Sequence, residues 1–213
     1  MAKRSINLKH YFLKEINFVI KILIVSDVVL LGAASLMGPI FALYVENFIV
    51  GGNAAAVAGI SAAIYLLVKS LAQIPIAAFI DKVRGEKDDF YMLIVFSVVM
   101  SLIQLLYLVV HTPLQLYAMQ FVLGLFTAFT FPSYMAIFTR HIDKDREGTE
   151  WGVYFTLSDL SSAALAAIGG YIAATEGFSL LIIIMVVLSV IGSLMLWPIK
   201  PYLKTKRVSA NHL

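Results

Sequence analysis

The chain contains no cysteine. A disulfide framework, a thiolate metal site and a thiol nucleophile are therefore excluded. Charge is scarce as well: Asp, Glu, Lys and Arg make up 14% of residues, against about 25% in an ordinary soluble domain. Apolar residues reach 61% and the mean hydropathy is +0.90. A globule of 213 residues in water could not cover that much apolar surface. Lipid as the surrounding solvent removes the difficulty.

Further absences narrow the chemistry. There is no HExxH zinc motif and no Walker A loop, so neither metalloprotease chemistry nor nucleotide hydrolysis belongs to this chain. No histidine falls inside an apolar stretch, which removes the base that an intramembrane serine protease needs. No regular arginine ladder marks a voltage sensor. The loops are too short to be the coupling segments of an ABC-type membrane domain. The chain reads as no enzyme, and no cofactor is implied.

What is present is a set of six apolar stretches, at about 18–46, 54–80, 90–110, 114–139, 151–174 and 178–199. Each is near or above the ~20 residues that a helix needs to cross a bilayer. The segment before the first is polar and basic. The apolar run that follows is too long for the core of a cleavable signal, so it reads as a span. The expected organisation is an N-terminal segment over 1–17, a six-helix transmembrane domain over 18–199 and a basic tail over 200–213.

The basic residues fix an orientation. Lys3, Arg4, Lys9, Lys14 and Lys21 precede or open the first span. Lys82, Arg84 and Lys87 lie between spans two and three, Arg140, Lys144 and Arg146 between four and five, and Lys200, Lys204, Lys206 and Arg207 after six. These are 15 of the 16 Lys and Arg, and the opposite loops hold none. The positive-inside rule then places both termini in the cytoplasm of a multi-pass cell-membrane protein. Topology accounts for the basic residues, so no nucleic-acid partner is expected.

Three ionisable residues fall inside the apolar stretches: Asp27, Lys69 and Asp159. Each costs roughly 2.5–3.5 kcal/mol at a helix centre on insertion scales. Lys69 lies about 12 residues, or about 18 Å, from Asp81 along its helix, too deep to reach the interface fully. It needs a carboxylate or a wet cavity, and both Asp27 of the same chain and Asp159 of a second copy qualify. The face of Asp159 carries Gly152, Thr156, Ser162, Ala166, Gly170 and Ala174, a small-residue seam that admits a close helix. Asp27 suits either a structural role or the binding of a proton or cation. Gln73, Gln104 and Gln120 suit cavity lining or interhelical bonding. Tyr44, Tyr65, Phe41, Phe126, Phe129, Phe131 and Tyr134 suit bundle packing or the wall of a cavity for an amphipathic substrate.

A weak symmetry links spans one and four: Gly32 precedes Pro39 as Gly124 precedes Pro132. These spans enter the membrane from opposite sides, as an inverted repeat of three helices plus three requires. Both prolines are expected to bend or break their helices.

The whole pattern resembles one half of a major facilitator superfamily transporter. The loop after span two reads AAFIDKVRGEK. Asp81 matches the aspartate of the family's cytoplasmic motif and Lys82 its basic neighbour, with Arg84 and Gly85 following; Ala77 stands where the family has Gly. In span four, QFVLGLFTAFTFP places Gln120 where the family often has Arg, and Gly124 at its Gly. In span five, SSAALAAIGGY keeps Gly169 and Gly170 of the family's antiporter motif, with Leu165 and Ala166 in place of its Gly-Pro pair. The resemblance implies a secondary transporter of a small molecule, with a cytoplasmic gate at Asp81. Asp27, Lys69, Gln120, Asp159, Tyr44 and Tyr134, singled out above from the residues themselves, are the candidates for substrate-cavity or coupling roles. Members usually have two six-helix halves with the substrate site between them. One half alone implies a parallel homodimer, or else a separated half of a larger transporter. A non-transporting membrane scaffold is the reading from a different class. Asp81 is further expected to cap or anchor a helix end.

Overall fold

A computed structural model describes residues 16–83 and 85–204. Arg84 and the terminal segments 1–15 and 205–213, with Lys3, Arg4, Lys9, Lys14, Lys206 and Arg207, lie outside the described residues. The first span is α1 (Phe18–Ser35), a 3₁₀ turn and α2 (Phe41–Phe48). The second is α3 (Ala54–Val83). The third is α4 (Glu86–Ile103), finished by a 3₁₀ turn over Gln104–Leu108. The fourth is α5 (Pro113–His141) and the fifth α6 (Glu147–Thr175). The sixth is α7 (Phe178–Leu194), followed by a 3₁₀ segment over Trp197–Tyr202. The six spans are long and apolar enough to cross a membrane.

Local chemistry sets the ends. Asn17 caps α1 by accepting from the Ile20 N–H at 3.0 Å. Thr112 and Gln115 form a capping box at α5, with Pro113 in the first turn, where its missing N–H costs nothing. Gly177, at φ 85°, makes the reversal into α7 that a side chain would resist.

The two prolines behave differently. At Pro39 the first span breaks: α1 stops at Ser35, a 3₁₀ turn covers Gly38–Ile40, and helix resumes at Phe41. Of the bend or break expected at Pro132, the break is not formed: α5 runs through it. Gly38 next to Pro39 weakens the helix twice over. Next to Pro132, Ser133 donates to the Phe129 carbonyl at 2.9 Å and Thr130 to that of Thr127 at 3.3 Å.

Helix α1 packs against α6 and α7, α5 packs against α3 and α4, and α4 meets α7. Between lipid and protein there is little hydrophobic difference to drive this packing, so close contact of backbones matters. A methyl group on Gly124 would lie 2.6 Å from the Tyr65 carbonyl oxygen of α3. One on Gly32 would strike Ser161 and Leu165 of α6, and one on Gly169 the backbone of Leu36. Two apolar clusters fill opposite ends of the bundle. One is built around Ile20, Leu23, Phe90, Ile137 and Phe138. The other is built around Leu36, Tyr44, Leu116, Leu181 and Ile182.

Polar contacts gather at the end that carries the basic loops. Asp89, buried, pairs with Arg140. Glu86 accepts from the Lys204 backbone at 2.7 Å and stands 3.9 Å from the His141 ring. Asn17 donates to the His141 carbonyl and, at 3.2 Å, to Asp143. The starts of spans one and three, the loop after span four and the chain beyond span six are thereby tied together.

The outer spans are barely covered. In the apolar stretch of each span, 6% of residues are buried in α3 and 11% in α6, against 28–44% in the other four. The bundle is therefore half-packed on the sides formed by α3 and α6.

Candidate functional site

Between the two apolar clusters lies a cavity of about 580 Å³. All six spans contribute to its wall, with α1, α4 and α5 supplying most of it. Asp27 is its carboxylate and Lys69 its cation. The Asp27 Oδ2 accepts a hydrogen bond of 2.6 Å from the Tyr154 hydroxyl of α6. Tyr134 stands next to Tyr154, ring centroids 5.9 Å apart. Its hydroxyl is buried and has no hydrogen-bond partner among the described residues. The Lys69 ammonium lies over the Phe131 ring, 4.8 Å from its centroid.

Thus Asp27, Lys69, Gln120 and Tyr134 share one cavity. Lys69 and Asp27 form no ion pair with each other among the described residues, so the same-chain pairing is not made. Gln120 is buried and donates to the Tyr107 hydroxyl at 2.9 Å. Higher on the wall, Tyr65 donates to Thr127 at 3.2 Å, across the close α3–α5 contact.

Other expected site residues lie elsewhere. Tyr44 is fully buried in the apolar cluster, outside the cavity wall. Its hydroxyl donates to the Tyr107 carbonyl at 2.8 Å and its ring stacks on Phe48. With its polar atom satisfied and its ring enclosed, it is a packing residue. Asp159 is exposed on the outside of α6, away from the cavity. The row Ser162, Ala166 and Gly170 is half-buried, and a methyl group on Gly170 would meet nothing within 4 Å. Within the chain, α1 uses the adjoining row of Ser161, Leu165 and Gly169 instead. Asp81 and Lys82 are exposed in the last turn of α3. Asp81 caps neither helix: it lies inside α3, and the residue that opens α4 is Gly85, which has no side chain to cap with.

Tyr154, Tyr107 and Ser189 are cavity residues that sequence reasoning did not single out. Tyr154 had a readable signal. It begins the row Tyr154, Ser158, Ser161, Leu165, Gly169, one step round α6 from the row read as the seam.

A helical membrane bundle with a polar-spotted central cavity, walled by short-looped antiparallel spans, is of the solute-transporter class. Over residues 23–212 the sequence matches the family model described as Major Facilitator Superfamily. The chain belongs to that superfamily, whose members are in general transporters of small molecules. No match was found among curated proteins.

Proposed function

We propose that the chain is a secondary active transporter that works as a parallel homodimer. Its substrate cavity lies between the protomers and opens alternately to either side. One observation carries this: the cavity, with Asp27 and Lys69 on its wall, belongs to a bundle whose α3 and α6 bury far fewer of their residues in their apolar stretches than the other four spans do. A transporter half normally packs such helices against a second half. A second copy related by an axis along the membrane normal supplies one. Both copies face the same way because the basic residues impose one orientation, with both termini in the cytoplasm of the cell membrane.

The packing supports a 3+3 inverted repeat. Exchanging spans one with four, two with five and three with six carries the packed pairs α1–α6, α1–α7 and α4–α7 into α5–α3, α5–α4 and themselves. Gly32 and Gly124 serve equivalent contacts in that scheme, each admitting the outer span beside it. In this reading Asp27 is the coupling residue, able to take a proton or a cation, and Asp81 with Lys82, Arg84 and Gly85 forms the cytoplasmic gate against the partner.

The test is the oligomeric state in lipid nanodiscs, combined with thiol labelling of Ser97→Cys and Ser189→Cys in the naturally cysteine-free chain. A dimer whose two cavity thiols are labelled from each side of the membrane is expected. A persistent monomer overturns the homodimer and favours a half of a larger transporter. A dimer with unlabelled, dry cavity positions overturns transport and favours a scaffold.

A further inference from the structure

The cavity wall carries two formal charges, Asp27 and Lys69, and they are not paired with each other. Their surroundings differ. Lys69 already has an aromatic face beneath it in Phe131, and it stands on α3, the sparsely covered span that faces a partner in the dimer. Asp27 stands deeper, between the central helices. One oxygen is held by Tyr154, which fixes the carboxylate, and the other has no donor among the described residues. Beside it the Tyr134 hydroxyl is buried without a partner. A buried hydroxyl with no partner costs about 1–3 kcal/mol.

From this arrangement we infer that the cavity takes an organic cation. Its positive centre sits at the free oxygen of Asp27 beside the rings of Tyr134 and Tyr154, and its apolar body lies against Leu30, Phe41 and Met100. The inference rests on the dimeric transporter reading in one respect: there Lys69 is met by Asp159 of the partner subunit, and Asp27 is left as the uncompensated charge. A carboxylate held by a tyrosine hydroxyl repels an anion. The rest of the wall, with three methionines, Met37, Met100 and Met185, moulds to varied apolar shapes. The selected chemistry is thus charge plus bulk, with little demand on detailed shape.

The experiment is fluorescence anisotropy on the purified full-length chain in detergent, with empty micelles subtracted. The probes are rhodamine 6G, a bulky monocation, and fluorescein, its anionic counterpart in shape. Saturable binding of rhodamine 6G and none of fluorescein is expected. Asp27→Asn, which keeps the acceptor for Tyr154, should weaken binding about tenfold or more, the worth of about 1.4 kcal/mol. Tyr134→Phe should weaken it about threefold, roughly half that energy, without lowering the unfolding midpoint, since its hydroxyl has no protein bond to lose. Three results overturn the inference: no binding of rhodamine 6G, equal binding of fluorescein, or an Asp27→Asn chain that binds as before. The oligomeric state of the same samples separates the two readings. A dimer that ignores the cation removes this inference and leaves the homodimer. A monomer that binds it through Asp27 removes the homodimer and leaves the cation site.

Discussion

At Gly124 a single methyl group decides how closely two helices approach. The Cβ of an alanine there would sit 2.6 Å from the Tyr65 carbonyl oxygen, a backbone atom that cannot rotate away. Gly124→Ala should therefore destabilise the bundle by about 1–3 kcal/mol, the usual range for overpacking. Gly148→Ala, where nothing lies within 4 Å, should leave the unfolding midpoint in detergent unchanged. Equal midpoints for the two variants would refute the close-approach role. Asp89 and Arg140 offer a second case. The Asp89 side chain is 1% exposed and that of Arg140 34%. Arg140→Gln should cost about 2 kcal/mol, short of the ~3–5 of a fully buried pair because the arginine end is partly in water. Thermal unfolding of this variant beside Asp89→Asn checks it; the asparagine, leaving no buried charge, should be the milder change. At this scale the sequence exposed the costly residues but not their contacts. Asp27 and Lys69 were legible because a charge inside an apolar run is rare. Tyr154, the donor to Asp27, lies 127 residues away, and Asp89 and Arg140 are 51 apart. Separations of that size are set by tertiary packing, which no local pattern encodes.

Elements were far more legible. Six spans and their boundaries follow from hydropathy and from basic residues confined to alternate loops, because lipid demands helices of fixed minimum length with satisfied backbones. The prolines were legible as disturbances but not as outcomes. Pro39 sits in a break of its span, with Gly38 beside it to weaken the helix further, and Pro132 sits inside a continuous helix. This yields a prediction for α5. Pro132 withholds the N–H that the Ala128 carbonyl would take, and Ala128 is fully buried. Pro132→Ala restores that bond and relieves the ring's clash with the preceding turn. The bundle should gain stability, by up to about 3 kcal/mol, the cost of proline inside a helix. A raised unfolding midpoint is expected; a lowered one would mean that α5 is bent in a way its partners need.

At the scale of the whole molecule the open question is what covers α3 and α6, and Lys69 and Asp159 stand on those two spans. Counted from the helix ends next to the basic loops, Val83 for α3 and Glu147 for α6, Lys69 lies about 21 Å along its helix and Asp159 about 18 Å. The lysine stem spans the difference. Asp159 is exposed on its own chain, with the small residues Ser162, Ala166 and Gly170 beside it, so a second helix can come close. In a two-fold dimer α3 of one protomer meets α6 of the other, twice over, and each meeting brings a lysine to an aspartate. That geometry explains two charges that lipid would otherwise penalise. Reversing one partner, as Lys69→Asp or Asp159→Lys, sets like charges against each other and should shift the chain toward monomer in nanodiscs. Reversing both should restore the dimer. The competing account joins Lys69 to Asp27 across the cavity of one chain, and its double reversal is Lys69→Asp with Asp27→Lys. If that second exchange rescues dimerisation and the first does not, the contact between α3 and α6 of different protomers is wrong, and the cavity's two charges answer to each other.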